Sequence, residues 1–439
     1  MIWHVITRFG EADTFEPAIG EQEPRIHVGL RRPGDVFALG PDPLASIARN
    51  AGAVPDDRAI DLLSIAEAAF AADLRIARDI EADRWTRSIR LHVPVADPER
   101  WSALRPAIAA LLGYLTGDEW DLEFRQRGPV TLKVPPVDPT PPATKTVCLF
   151  SGGLDSLIAG IDLLSQGAPV ALVGHYGAGL TNNIQQRVLV PLRARYGEAL
   201  REFRFFVQPP KEHSAGEPTM RARSILFLAL GVAVASALNA DRLVVGENGL
   251  ISLNVPLTLT RLGSNSTRTT HPHVLAMLRD LLKALGLEIA VELPYRFKTK
   301  GEMLAETMDP ELLAVTAPLT MSCSHPEVGR YRGTTPGNHC GYCVPCIIRR
   351  AAFLRAGLPQ GAYDTDILTK RLKRGSGTAA DLRAFEMGVA RFRGMSRTAQ
   401  VAAVLSTGPI PDEDVSSYAD TYARGMAEVS ALLEAVPRV

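Results

Sequence analysis

An apolar run, Thr146 to Phe150, ends in Ser151-Gly152-Gly153 and passes straight into Leu154-Asp155-Ser156. From there, Leu157, Ile158, Ile161 and Leu164 recur at helical spacing until Gly167 stops the segment. A short buried strand, a glycine turn and a helix N-terminus together make an anion site. Backbone N–H groups point at the ligand, and the helix dipole favours negative charge. Two glycines let the backbone approach phosphate oxygens closely. Ser151 and Ser156 can donate to those oxygens, and Asp155 can hold a magnesium ion. The mononucleotide P-loop is excluded, because no lysine follows the glycines. The plainer alternative is a glycine pair that only turns a strand into a helix.

The pattern around this segment alternates. Strands are expected at 146–150, Val170–Gly174, Phe203–Val207 and Arg242–Val245. Helices are expected at 154–166, Asn182–Tyr196 and Ser224–Leu238. Strands alternating with helices predict an α/β fold with a parallel, doubly wound sheet, whose ligands bind beyond the carboxyl ends of the strands. His175-Tyr176-Gly177 and Gly246-Glu247-Asn248 lie at such ends. His175, Tyr176, Glu247 and Asn248 are therefore candidates for binding nucleotide or substrate.

Five prolines between Pro135 and Pro142 predict a stiff linker over 135–143. It separates an N-terminal α+β domain, 1–134, from the sheet domain, 144–354, which a helical extension, 355–439, follows. In the first domain, strands are expected at Ile2–Thr7, Arg25–Leu30, Ile89–Val95 and Leu122–Arg127, with helices at Asp57–Arg78 and Trp101–Leu115. All four tryptophans fall there, as a small aromatic core or an aromatic-lined surface. In the extension, Ala380–Phe392 and Ser416–Val436 carry helical spacing.

A formal net charge of zero gives no indication of direct nucleic-acid or membrane-surface binding. The longest apolar stretch, Ile225 to Leu238, is 14 residues and too short to span a bilayer. The first residues lack a signal-peptide pattern. Together with the cysteine usage, this reads as a cytoplasmic enzyme.

Four of the five cysteines form Cys323-x16-Cys340-x2-Cys343-x2-Cys346. The two-residue spacing lets adjacent thiolates converge on one ion, and the fourth closes a tetrahedron. A four-thiolate zinc site has no open position and is structural. An iron–sulfur cluster and redox thiols are the rival readings. Arg330, Arg332, Arg349 and Arg350 are near enough in sequence to offset its charge. His325 and His339 either support the ligands or face solvent. Cys148, alone in the first strand, is a small apolar filler.

The Ser-Gly-Gly-x-Asp-Ser motif resembles the PP-loop of ATP pyrophosphatases. Residues 146–353 resemble 7-cyano-7-deazaguanine synthase (the QueC-like family), which pairs that loop with a Ser-Cys…Cys-Gly-x-Cys-x-x-Cys-x-x-Arg zinc motif. Here that motif reads Ser322-Cys323…Cys340-Gly341-Tyr342-Cys343-Val344-Pro345-Cys346-Ile347-Ile348-Arg349. Tyr176-Gly177, Arg223-Ser224 and Lys298-Thr299-Lys300 sit where the family has Tyr-Gly-Gln, Arg-Asn and Lys-Thr-Lys and look similar to them. There are departures. Ala178 replaces a glutamine, Gly246-Glu247-Asn248-Gly249-Leu250 replaces a Gly-x-Asn-x-x-Asp-type loop, and the family's Tyr-Pro-Asp-Cys-Arg segment is absent near Ser252–Pro256. The long layout resembles QueC-like proteins of anti-phage defence systems, the Qat type (QatC-like) in particular.

The resemblance implies ATP, Mg²⁺ and Zn²⁺ as cofactors and a 7-deazaguanine carboxylate as the small-molecule substrate. It implies a C–N ligase or synthase that releases AMP and pyrophosphate. Phosphates would lie over Ser151, Gly152, Gly153, Leu154, Asp155 and Ser156, with Arg223, Lys298 and Lys300 as candidate cations. An amine, ammonia or one on a protein acceptor from a defence operon, would displace AMP. The alternatives are a nitrile-forming synthase and a non-catalytic nucleotide-binding scaffold. The added domain, 1–134, is expected to serve the acceptor and not adenylation. Asn265, Thr267 and Arg268 are further substrate candidates; His271 and His273 either bind metal, transfer protons or are polar side chains of a helix-entry loop.

Overall fold

The computed structural model describes residues 1–32, 35–134, 142–177, 179–208, 216–217, 220–258, 268–333, 337–373 and 375–436, without the Arg332 side chain. Most of the expected linker, together with Ala178, Asn265 and Thr267, lies outside the described residues.

The N-terminal unit mixes strands and helices, and all its strands run parallel. β1 (Ile2–Phe9), β2 (Arg25–Leu30), β3 (Ser88–Val95) and β4 (Glu119–Gln126) form a sheet in the order β2-β1-β3-β4. Its helices are α1 (Pro43–Ala51), α2 (Asp57–Arg75), α3 (Pro98–Ala103) and α4 (Arg105–Thr116). The one helix expected over Trp101–Leu115 is thus two. Pro106 lacks the N–H that would continue the first helix and is suited to starting the second. Trp101 and Trp120 are buried, with their indole N–H groups on Asp61 (2.9 Å) and Thr116 (2.8 Å). For those two tryptophans the aromatic-core reading holds.

The second sheet contains β5 (Thr146–Leu149), β6 (Val170–Tyr176), β7 (Leu200–Phe206), β8 (Arg242–Val244) and β9 (Ala290–Glu292), all parallel, in the order β7-β6-β5-β8-β9. β9 has only three residues, too few to show a period in sequence. The connecting helices are α5 (Leu154–Ser165), α6 (Gly179–Tyr196), α7 (Arg223–Leu238), α8 (Gly249–Leu253) and α9 (Pro272–Leu285). This is the expected α/β, doubly wound architecture. The strand order reverses direction between β5 and β8, so the crevice for a ligand opens there.

The two sheets share one hydrophobic core. It runs from Val5, Leu63 and Leu91 through α2 and α7 to Val147, Leu149 and Leu243. α7 is apolar almost all round because it is covered on both sides, by its own sheet and by α2. The buried face of α2 carries Ala66, Ala69 and Ala72, which leave room for close helix contact. A chain lacking residues 1–134 is therefore expected to expose α7 and be recovered as aggregate. Size-exclusion chromatography of the truncated chain checks this, and a monodisperse, folded truncation would refute it.

The remaining helices are α10 (Lys300–Ala305), α11 (Pro310–Thr316), α12 (Val328–Arg332), α13 (Val344–Arg355), α14 (Ala380–Arg393), α15 (Arg397–Leu405) and α16 (Asp412–Glu434). α13, α14 and α16 build a second core with α8, containing Leu250, Ile347, Phe385, Tyr422 and Met426. Among the described residues, no helix is long and apolar enough to cross a membrane.

Candidate functional site

The glycine loop joins β5 to α5 at the crevice. Gly152 sits at φ 84°, a conformation that a side chain would strain, and Gly153 is the N-cap of α5. The Ser151 and Ser156 hydroxyls lie 3.2 Å apart, and Ser156 donates to the Gly153 carbonyl at 3.0 Å. The loop is clamped from two sides. Gln185 on α6, buried and not singled out in sequence, reaches the carbonyls of Phe150, Ser151 and His175 at 3.3–3.4 Å. Opposite it, the Met321 amide donates to Gly152 O (3.1 Å), and Leu154 N donates to the Ser322 hydroxyl (3.3 Å). The cleft above the loop has a volume of about 360 Å³. Its polar wall includes Ser151, Asp155, Arg223, Ser224, Glu247 and Lys300, and Phe227, Ile251 and Met321 contribute apolar faces.

Asp155, Glu247, Asn248 and Lys300 meet at the cleft floor. Lys300 Nζ is 3.1 Å from Asp155, and Asn248 donates to the other Asp155 oxygen at 2.7 Å. Asn248 also caps α8 by accepting from Ile251 N (3.1 Å). Burial would raise the Asp155 pKa, but Lys300 and the hydrogen bonds from Glu247 and Asn248 outweigh it and hold the carboxyl below its ordinary value. Glu247 goes the other way. Burial, then the neighbouring Asp155 charge, raise it well above the ordinary glutamate value, so the two carboxyl groups are pushed apart in acidity. The two candidate lysines separate. Lys300, first residue of α10, is buried against Asp155. Lys298 is 38% exposed, pairs with Glu306 at 2.7 Å and is not among the cleft-lining residues. Thr299 between them caps α10, its hydroxyl bonded to Glu428 of α16. In this way the C-terminal extension braces the turn that carries Lys300.

Arg223 opens α7 and lines the cleft. It donates from Nε to His175 Nδ1 (3.1 Å) and from a terminal nitrogen to His175 O (3.2 Å). Among the described residues no carboxylate pairs with it. Burial alone lowers its pKa. His175 is buried, with Nε2 on Val207 O at 3.2 Å, and does not line the cleft itself. Tyr176 packs on Phe206, also outside the lining.

His271 lies elsewhere. It caps α9 and contacts Tyr114 (3.1 Å) and Thr407 (2.9 Å), so it fastens the N-terminal unit to the C-terminal helices. Arg268 donates to Tyr114 O (3.1 Å) in the same junction. Burial pushes both His175 and His271 down to about 4. Each is neutral when folded and takes up a proton on unfolding below pH 6.5, so acid destabilises the fold as pH falls from about 6.5 to 4. The expected loss is roughly 2 kcal/mol per histidine at pH 5 relative to neutral pH. Denaturant midpoints measured across that range check it, and His271→Gln should flatten part of the slope. A midpoint independent of pH would contradict the assignment.

The four cysteine sulfurs lie within 4.8 Å of one another. Cys323 and Cys343 are separated by 3.8 Å, and Cys340 and Cys346 by 3.9 Å. Thiolates at a Zn–S distance of about 2.3 Å around a tetrahedral centre are about 3.8 Å apart, so the cluster could hold a metal such as zinc. Amides of His325, Cys340 and Cys343 point at Cys323 Sγ or Cys340 Sγ at 3.2–3.4 Å and stabilise thiolate charge. The neighbouring arginines are otherwise engaged: Arg349 with Thr320 and Ala317, Arg350 with Asp366, Arg330 with Glu327. His325 is exposed yet keeps Nδ1 at 3.9 Å from Cys340 Sγ, and buried His339 accepts from Ser322 N at 3.3 Å. The knuckle is thereby tied to the segment that clamps the glycine loop.

No family model matches the chain. Over 239 residues it is 28% identical to the 7-cyano-7-deazaguanine synthases of Xanthomonas axonopodis pv. citri (strain 306) and Xanthomonas oryzae pv. oryzae (strain PXO99A), a match covering 50% of this chain and 97% of each relative. The protein of that name from Rhizorhabdus wittichii is 27% identical over 235 residues, covering 49% of this chain and 93% of its own length. These curated relatives support placing about half of the chain in a 7-cyano-7-deazaguanine synthase-like (QueC-like) family.

Proposed function

We propose that the protein is an ATP-dependent synthase or ligase that adenylates the carboxylate of a 7-deazaguanine, 7-carboxy-7-deazaguanine, and passes it to an amine. The observation that carries this reading is one cleft holding the glycine loop, an acidic pair beside Lys300, and an arginine with no acidic partner among the described residues. The ATP phosphates lie over residues 151–156. A carboxylate oxygen attacks the α-phosphorus and pyrophosphate leaves. The amine nitrogen then attacks the carbonyl carbon, AMP leaves, and the nitrogen loses a proton. Loop amides, the α5 N-terminus, Lys300 and Arg223 stabilise the charge that develops. Asp155 and Glu247 are the residues that would hold magnesium, which neutralises phosphate charge when bound.

Conjugation to an amine on a partner protein, in the manner of a defence system, is the finer reading, supported by the units on either side of the sheet domain. The name of the relatives, 7-cyano-7-deazaguanine synthase, favours a second product, the nitrile. Incubating the protein with ATP, magnesium and 7-carboxy-7-deazaguanine should release pyrophosphate and AMP. Mass spectrometry then separates nitrile from amide. Absence of carboxylate-dependent pyrophosphate release would sink the proposal.

A further inference from the structure

The segment that delivers Arg223 to the cleft is held from the N-terminal unit. Phe70, Asp73 and Leu74 lie at i, i+3 and i+4 on α2 and so share one face. Leu74 O accepts from Glu217 N at 3.0 Å. Asp73 accepts from Ala222 N, just ahead of α7, at 2.8 Å. The Phe70 ring meets His175 edge-on, with centroids 5.8 Å apart. His175 in turn holds the Arg223 guanidinium through Nδ1 and its carbonyl. One face of α2 therefore sets the approach to α7, an amide at its start and the imidazole behind its first residue.

Asp73 is itself fixed. Its carboxylate bonds to Arg87 at 2.7 Å, and Arg87 also pairs with Asp118 at 2.6 Å. Asp118 takes two hydrogen bonds of 2.9 Å from Arg78. All four side chains are buried, and their charges balance. Such a network is rigid, because breaking one pair leaves a buried charge uncompensated.

We propose that the N-terminal unit is a positioning element of the cleft: Asp73 and Phe70 set the His175–Arg223 pair so that the guanidinium meets an anionic oxygen of the ligand. This rests on the reading of the cleft as an ATP and carboxylate site. The anionic oxygen belongs to a phosphate or to the substrate carboxylate, and calorimetric titration of the full chain with Mg–ATP, Mg–pyrophosphate and 7-carboxy-7-deazaguanine separates the two. Arg223→Gln should weaken one of these by tenfold or more. Asp73→Asn should weaken the same ligand by about tenfold, a change of about 1.4 kcal/mol. The double variant should bind no more weakly than Arg223→Gln alone, because Asp73 acts through Arg223.

A purely structural role would lower the fraction of chains that bind and leave Kd unchanged. Phe70→Leu, a milder change on the same face, makes the same prediction if Asp73→Asn is insoluble. Wild-type Kd in a folded variant, or additive losses in the double variant, would overturn the inference. Wild-type protein that binds none of the three ligands would overturn the reading of the cleft, and this inference with it.

Discussion

A Cys343→Ser protein is expected to lose its metal and to be recovered mainly as insoluble or unfolded chain. Cys343 supplies one of four clustered sulfurs and is also the N-cap of α13, whose buried residues enter the second core. Structural zinc in small sites contributes an apparent 10–16 kcal/mol, roughly as much as the whole stability of a typical domain, about 5–15 kcal/mol. Losing a ligand should therefore cost the fold and not only the rate. The consequence reaches the cleft, because His339 and Ser322 connect the knuckle to the loop amide of Leu154. Elemental analysis should find one zinc per wild-type chain. Circular dichroism should show lost helix in Cys343→Ser. A folded, soluble Cys343→Ser protein, or iron in the wild type, would contradict the zinc assignment.

Asp155→Asn should lower pyrophosphate release by about 10²-fold or more, the range typical for removing one preorganised electrostatic group. Asparagine is the more informative replacement than alanine. Alanine would strand the Lys300 ammonium, buried and 3.1 Å from Asp155, at a cost of about 3–5 kcal/mol for a broken buried pair. Asparagine also removes the charge paired with Lys300, but it keeps the volume and an acceptor for Asn248, so the thermal midpoint should fall less than in the alanine variant while turnover collapses. Glu247→Gln should be milder, since burial and the neighbouring Asp155 charge raise the Glu247 pKa and favour its neutral form. Turnover by Asp155→Asn near the wild-type rate would remove Asp155 from the chemistry.

The parts of the site written locally were legible. The glycine loop needs only a strand, a turn and a helix start within eleven residues, and the chain from Thr146 to Ser156 contains all three. The cysteine cluster was legible for the same reason, since Cys340, Cys343 and Cys346 converge through one turn and a helix start and need only Cys323 from outside. Lys298 and Lys300 looked equivalent. The Thr299 cap decides between them, starting α10 so that Lys300 turns in and Lys298 turns out to Glu306. His271 looked as suited to a metal as to a polar helix-entry loop until Tyr114 and Thr407, 157 and 136 residues away in sequence, closed around it.

By itself, the sequence determined the parallel α/β architecture, the loop at 151–156 and the four-cysteine spacing, because periodicity, turn chemistry and ligand spacing act over a few residues. Tertiary structure decided that the N-terminal unit shares the sheet core, that Asp73 lies beside Ala222, and that Lys300 rather than Lys298 meets Asp155. Asp73 and Ala222 lie 149 residues apart, and local pattern carries no information about which distant side chain will fill a buried space or satisfy a buried amide.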